Sequence, residues 1–445
     1  MNKQLVRYLY FALLVILAIG AVHLFNNIIS MKILQFIESL KMMDNRLLEY
    51  QGVLDNSGKN IIIENVKLAD EPPMKHDVSI VTQLDGSRIK NVAKMSHRWK
   101  GPIQATVVIV SVNLWNMTME VVENLRVCQN DIKRYVSWHI LIMTNASETR
   151  TKFIYTSQEQ KLRNTPKSVR EETLCYWDLE HKMGKLARKM IHSGPKGTKR
   201  DHIAYYPQTV AMNVGLKALT TDFFLAIDSD VFPSHGARDG FNRMAEKLDL
   251  FNPAEMPPPY KKLQQWPSDV DIEESICARH KYLKNPPHDV YVLPTFEANK
   301  KLPYNVSSLK TAFMEKKARA FYSASSDIYA RTDHKKWIEL SDMDSNVECS
   351  YEIEYARNYE PFFIARRGVA LFNETFIGHS QVDVHHVALL AAVGYKFKIL
   401  KNAFLVHDGM KSLNPVTGQR RKEAWEMWAT WEAYLDNLDK TYRQR

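Results

Sequence analysis

The stretch FFLAIDSDVF, residues 223–232, places two carboxylates at the mouth of a buried strand. Phe223, Phe224, Leu225, Ala226 and Ile227 form an unbroken apolar run, the pattern of a strand covered on both faces in a parallel sheet. Asp228 and Asp230 follow at once. Open α/β sheets bind ligands just beyond the carboxyl ends of such strands, and residues two apart in extended chain point to one side. Mg²⁺ and Mn²⁺ prefer oxygen ligands, take one or two carboxylates, and leave positions for phosphate and water. The pair is therefore a candidate metal site, with an Asx-turn closing the strand as the plainer alternative.

The D-x-D string alone is weak, because it recurs at Asp269/Asp271 and Asp342/Asp344. Those copies lie in polar, turn-like surroundings (QQWPSDVDIEES and ELSDMDSNVE), where solvated carboxylates are expected. Only the first copy follows an apolar strand.

Upstream, the β-branched run ATVVIVSVNL (105–114) reads as the opening strand of the globular domain and WHILIM (138–143) as a second, with helix-like sequence over 119–132 between them. Residues 150–200 are highly charged and read as a surface excursion. Pro207 introduces a helix over 208–219 that leads into the FFLAI strand. Strand, helix, strand, helix, strand ending in carboxylates is the nucleotide-holding half of an α/β fold. No Gly-rich dinucleotide fingerprint and no Walker P-loop accompany it, which argues against NAD enzymes and ATPases. Further strands are expected at DVYVLPTF (289–296), YEPFFIA (359–365) and FKILKNAFL (397–405). A helix is expected over 381–393, with Ser380 and Asp383 in a capping-box arrangement. The tail, 422–442, reads as a helix with Trp425, Trp428 and Leu435 on its inward face.

The chain has 445 residues and a net charge of +10, with basic residues scattered and no nucleic-acid motif. Lys3 and Arg7 precede an uncharged apolar stretch over residues 8–25, which reads as an uncleaved membrane anchor rather than a signal peptide. That divides the chain into a cytoplasmic tail (1–7), an anchor (8–25), a stem (26–101) and a luminal domain (102–445). Ile29, Ile33, Phe36, Leu40, Met43, Leu47, Tyr50 and Leu54 form a short heptad seam in the stem. It is consistent with a coiled coil pairing two copies or with one amphipathic helix. The polar stretch from 55 to about 101 reads as a tether. Sequons at Asn116, Asn145, Asn305 and Asn373 agree with a luminal domain. Cys128, Cys175, Cys277 and Cys349 are even in number and could form two disulfides in any of three connectivities.

Several blocks together resemble the family 49 glycosyltransferases: YPQTVAMNVGLKALTTDFFLAIDSDVFP (206–233), VYVLPTFE (290–297), His334 and Trp337 of DHKKW, YEPFFIARR (359–367), LFNETFIG (371–378) and GYKFKILKNAFLVH (394–407). The resemblance implies a GT-A fold with a Rossmann-like central sheet. It also implies a type II Golgi membrane protein and an inverting, Mn²⁺-dependent transfer from a UDP-sugar to a glycan acceptor. It places Asp228 and Asp230 on the family D-x-D and His407 on the histidine that completes the metal site. Arg366 and Arg367 fall on the family's basic pair, a candidate for gripping the carboxylate of UDP-glucuronate. His386 matches a family histidine. The chain departs from the pattern after Gly378, where GHSQVD replaces a Gly- and Trp-containing segment. Asp383 is the candidate catalytic base there, ahead of His379, and a helix cap is its alternative role. The expected activity is glucuronyl transfer. N-acetylglucosamine or xylose donors, or a non-catalytic lectin-like relative, are the alternatives.

Overall fold

The computed structural model describes residues 47–144, 151–193, 206–251, 289–299, 301–323, 327–342, 346–378, 383–410 and 419–443. Sixteen strands carry the architecture. Before the aspartate pair come β1 (Leu47–Gln51), β2 (Val53–Leu54), β3 (Asn60–Lys67), β4 (Val78–Asp85), β5 (Ile103–Ile109), β6 (Val136–Met143) and β7 (Lys152–Thr156). The pair lies between β8 (Phe223–Ala226) and β9 (Val231–Pro233). After it come β10 (Asp289–Val292), β11 (Thr295–Ala298), β12 (Ala318–Ala320), β13 (Glu348–Ile353), β14 (Phe363–Arg366), β15 (Lys396–Lys401) and β16 (Leu405–Asp408).

Ten strands form one mixed sheet in the order β13-β15-β10-β14-β8-β4-β5-β6-β3-β2. Its centre, β8-β4-β5-β6, is parallel throughout. β5 and β6 carry long apolar runs because both faces are covered. The helix Gln208–Lys217 presses closely on this centre at Gly215, where an added Cβ would lie 2.6 Å from Val81 Cγ1. The chain steps from β4 out through β5 to β6 and then returns to the other side of β4 as β8. The strand order therefore reverses between β4 and β8, and at such a reversal the loops at the carboxyl ends splay apart and leave a crevice.

A second sheet, β12-β11-β16-β9, adjoins the first. The chain crosses from the larger sheet to the smaller at three places: β8 to β9 through residues 227–230, β10 to β11 through Leu293 and Pro294, and β15 to β16 through residues 402–404. The expected single strands at 289–296 and 397–405 are thus each two strands in two sheets. In the latter, Asn402 takes a left-handed conformation (φ 63°) that ends β15.

The N-terminal division is corrected. Residues 47–101, expected as stem and tether, belong to the folded domain: β4 is central in the large sheet, β3 pairs with β6, and β1 pairs with β7. Leu47, Tyr50 and Leu54 lie in strands, so that end of the heptad seam is no coiled coil. The rest of the seam and the apolar stretch 8–25 lie outside the described residues. Among the described residues no helix is long and apolar enough to cross a membrane.

The charged segment 151–193 is likewise integrated. Phe153, Tyr155, Leu186 and Met190 are buried, and a Cys128–Cys175 disulfide ties the segment to the helix Trp115–Cys128. Cys349 is also disulfide-bonded. In the C-terminal helix, Gln419–Leu438, the inward face is Met427, Trp431 and Leu438 rather than the expected tryptophans. Trp425 is 77% exposed and Trp428 is 43% exposed.

Candidate active site

Residues 228–231 form a tight turn in which the Val231 N–H donates to the Asp228 carbonyl at 3.0 Å. This turn lies at the crevice between β4 and β8 and at the crossing between sheets. On the far side of the crossing, β9 and β16 pair antiparallel, with Val231 opposite His407. The Asp408 N–H donates to the Asp230 carbonyl at 2.9 Å. Backbone pairing thus brings together two of the expected metal ligands, with His407 Nε2 3.5 Å from Asp230 Oδ2.

The imidazole is set for a Lewis acid. Its Nδ1 lies 2.7 Å from the Gly409 carbonyl, which can only accept, so Nδ1 carries the proton and Nε2 presents its lone pair. The side chain is 7% exposed, and Nε2 has no hydrogen-bond partner among the described residues. A cation between this nitrogen and the Asp230 carboxylate would bond to both. Oxygen and imidazole donors together suit Mn²⁺. Asp228 holds the other end of the turn, its carboxylate accepting from Gln208 Nε2 at 3.4 Å. Among the described residues no three such side chains already close into a metal cage. The residues fit a cation at Asp230 and His407, with Asp228 adjacent.

Asp383 stands just before the helix Val384–Val393 and makes no side-chain capping bond. The helix is described from Val384 onward; Ser380, the other member of the expected capping box, and His379 lie outside the described residues. Burial pushes the Asp383 carboxyl well above the usual range, and the negative charges of Asp228 and then Glu360 add to the shift. Asp383 therefore belongs to the same electrostatic cluster as the D-x-D turn.

Arg366 and Arg367 do not. β14 runs antiparallel to β8 and sets Arg366 opposite Phe223, at the end of β8 away from the aspartates, about 16 Å along extended chain from Asp228. The Arg366 guanidinium lies over the Phe223 ring at 4.7 Å and donates to the Leu250 carbonyl. Arg367 donates to the Leu219 carbonyl at 3.2 Å. Glu374, the nearby acid of the LFNETFIG block, accepts from Asn213 at 2.9 Å rather than pairing with either arginine. His386 packs: it is buried beside Phe372, its Nε2 donates to the Ala370 carbonyl at 2.8 Å, and burial lowers its pKa to about 4.

The cation actually at the site is Arg88, on the turn after β4, with a guanidinium nitrogen 3.1 Å from Asp230 Oδ2. Burial disfavours its charge, but Asp230, Asp85 and Asp228 more than offset this and hold its pKa above the ordinary value. Sequence reasoning missed it by placing it in a tether. Tyr322 was also missed. It follows β12 in a left-handed conformation (φ 54°), uncommon for a bulky residue and a mark of functional sites. Burial, then Glu360, Asp228, Asp230 and Asp383, push its hydroxyl up to about 12. Glu360 was read only as part of a strand, and no sequence signal marks Tyr322.

Residues 77–443 match the family described as "Glycosyl-transferase for dystroglycan". The chain is 22% identical to Beta-1,4-glucuronyltransferase 1 of Danio rerio over 411 residues, covering 88% of this chain and 82% of that protein. It is 22% identical to Xylosyl- and glucuronyltransferase LARGE1 of Mus musculus over 211 residues, covering 46% and 23%. Among solved structures, TarS ("Crystal structure of S. aureus TarS") aligns over 75% of this chain and 37% of its own at a TM-score of 0.31 and 11% identity. The family match begins within one residue of β4, runs through the aspartate turn and His407, and ends in the C-terminal helical segment; this chain belongs to the dystroglycan glycosyltransferase family and is a glycosyltransferase.

Proposed function

We propose that the chain transfers glucuronic acid from UDP-glucuronate to the end of a glycan, with inversion, using Mn²⁺ held by Asp228, Asp230 and His407 in a GT-A fold. The observation that carries the reading is the buried, unpartnered Nε2 of His407 facing Asp230 at the carboxyl end of the parallel sheet. The names of the similar glucuronyltransferases support the choice of sugar.

When bound, Mn²⁺ would neutralise charge on the departing diphosphate. The protein's own groups do the rest. Gln208 orients Asp228, and the Gly409 carbonyl fixes the His407 tautomer. Asp383 accepts the proton of the acceptor hydroxyl as its oxygen bonds to the anomeric carbon and the bond to UDP breaks. Once ionised, a carboxylate with a raised pKa is a stronger base than a solvated one, and a cation held beside Asp228 would favour that ionised form over the protonated form of the metal-free protein. Tyr322 keeps its proton and can donate a hydrogen bond within the cluster.

The proposed setting is the Golgi lumen, with residues 8–25 as a single membrane anchor. The uncharged run behind Lys3 and Arg7 supports the anchor, and the Cys128–Cys175 disulfide fits an oxidising compartment. Xylose is the second reading for the donor, favoured by the similarity to a xylosyl- and glucuronyltransferase.

Calorimetric titration of UDP-sugars with and without Mn²⁺ tests the proposal. Mn²⁺-dependent binding selective for UDP-glucuronate is expected. Selectivity for UDP-xylose would replace the donor, and no Mn²⁺-dependent binding of any UDP-sugar would overturn the reading.

A further inference from the structure

Asp230 Oδ2 is shared. The Arg88 guanidinium lies 3.1 Å away on one side, and the lone pair of His407 Nε2 faces it at 3.5 Å on the other. A divalent cation between the carboxylate and the imidazole would compete with Arg88 for the same oxygen and repel it. Arg88 is held there by charge rather than by close packing. Its side chain is 51% exposed, on a long flexible stem leaving a surface turn, whereas those of Asp230 and His407 are largely covered. Asp85, the nearest acid on its own turn, is engaged by Ser87, whose backbone N–H and hydroxyl both donate to Asp85 Oδ1. Lys94, the neighbouring cation, is tied to Asp408 at 2.9 Å and lies over the Phe232 ring. A displaced Arg88 would carry its planar charge to the mouth of the donor crevice, suited to bidentate capture of a phosphate or carboxylate.

We propose that Arg88 is an exchangeable counter-cation: it holds Asp230 until the metal arrives, and then turns to grip an anionic group of the donor. This rests on the metal and donor reading above. It makes metal binding and donor binding reinforce each other through Arg88, because the group expelled by one is recruited by the other.

The test is Arg88→Gln in the full-length protein in detergent, with free Mn²⁺ followed by electron paramagnetic resonance and nucleotide binding by calorimetry. Without nucleotide, Arg88→Gln should bind Mn²⁺ on the order of fivefold more tightly than wild type, since a half-exposed competing ion pair is gone. At saturating Mn²⁺ it should bind UDP-glucuronate roughly tenfold more weakly, having lost a charge-assisted bidentate contact. Arg88→Lys keeps the charge, so its Mn²⁺ affinity should stay near wild type while donor binding still falls. An equal loss for UDP and UDP-glucuronate would identify the diphosphate as the group gripped; a loss confined to UDP-glucuronate, with UDP-glucose unaffected, would identify the sugar carboxylate. Unchanged or weaker Mn²⁺ binding in Arg88→Gln, or unchanged binding of every nucleotide, would overturn the exchange. Wild type binding neither Mn²⁺ nor any UDP-sugar would take the underlying site with it.

Discussion

Val231 and His407 face each other across an antiparallel ladder, so the aspartate turn and a histidine from the far end of the chain are held together by backbone rather than by side-chain chance. The Asp230–His407 approach is thus built into the sheet before any ligand binds, and such preorganisation keeps the cost of ordering out of the binding step.

His407→Gln should weaken Mn²⁺ binding by at least about tenfold and reduce turnover with it. The metal-free protein should melt within about 3 °C of wild type, because one neutral hydrogen bond, from Nδ1 to the Gly409 carbonyl, is lost and Nε2 has none to lose. A Mn²⁺ titration and a thermal melt of the same preparation decide it. Wild-type Mn²⁺ affinity would remove His407 from the site.

Asp383 links catalysis to pH-dependent stability. Its carboxyl is raised in the folded protein, so the folded state keeps a proton that the unfolded chain gives up. The group's contribution is then favourable below the unfolded value of about 4 and is lost as pH rises towards the folded value. Asp383→Asn should therefore melt higher than wild type at pH 7, with the difference shrinking towards pH 4, while transfer is abolished and UDP-sugar binding is kept. Full activity in the variant would return catalysis to another carboxylate, with Glu360 next in line.

The two arginines at the far end of β8 should separate structure from function. Arg367→Ala should leave the donor KM within about twofold of wild type, as a surface change remote from the site. Arg366→Ala should cost about 1–3 kcal/mol in urea unfolding, from the lost stacking on Phe223 and the stranded Leu250 carbonyl. A tenfold rise in donor KM for Arg367→Ala would place that arginine at the donor after all.

On the C-terminal helix, Trp431 is fully buried, whereas Trp425 is mostly exposed. Trp431→Ala should destabilise by about 3–5 kcal/mol and Trp425→Ala by less than about 0.5 kcal/mol. Chemical denaturation of the two variants checks the contrast, and similar losses would mean that the helix is rotated.

The FFLAI strand, the WHILIM strand and the helix before the aspartates were legible because each is an uninterrupted apolar pattern. β4 was not, because Ser79, Thr82 and Gln83 are buried among its apolar residues and give VSIVTQLD the look of a polar linker. Tertiary partners make that burial tolerable: the Thr221 hydroxyl donates to Ser79 Oγ, and Gln83 accepts from the buried Tyr206 hydroxyl. Missing β4 also hid Arg88, which follows it. The aspartate pair stood out because it follows an apolar strand, whereas His407 entered only through the resemblance to the family block. The arginine pair could not, because their distance from the site depends on β14 running against β8, which no local pattern reveals. The inward face of the last helix was misread for a similar reason: aromatics at 425, 428, 431 and 434 offer more than one stripe of helical period, and only the neighbouring helix selects one.

The three crossings between the sheets have a mechanical meaning. Asp228 ends a strand of the large sheet, whereas Asp230 and His407 are bonded into the small one. Ligands that draw these three groups together would stitch one slab to the other across the seam where the chain itself passes. Occupancy of the site would then register as stiffness of the whole molecule: slower amide exchange in β9, β11 and β16, at residues that never touch the ligand.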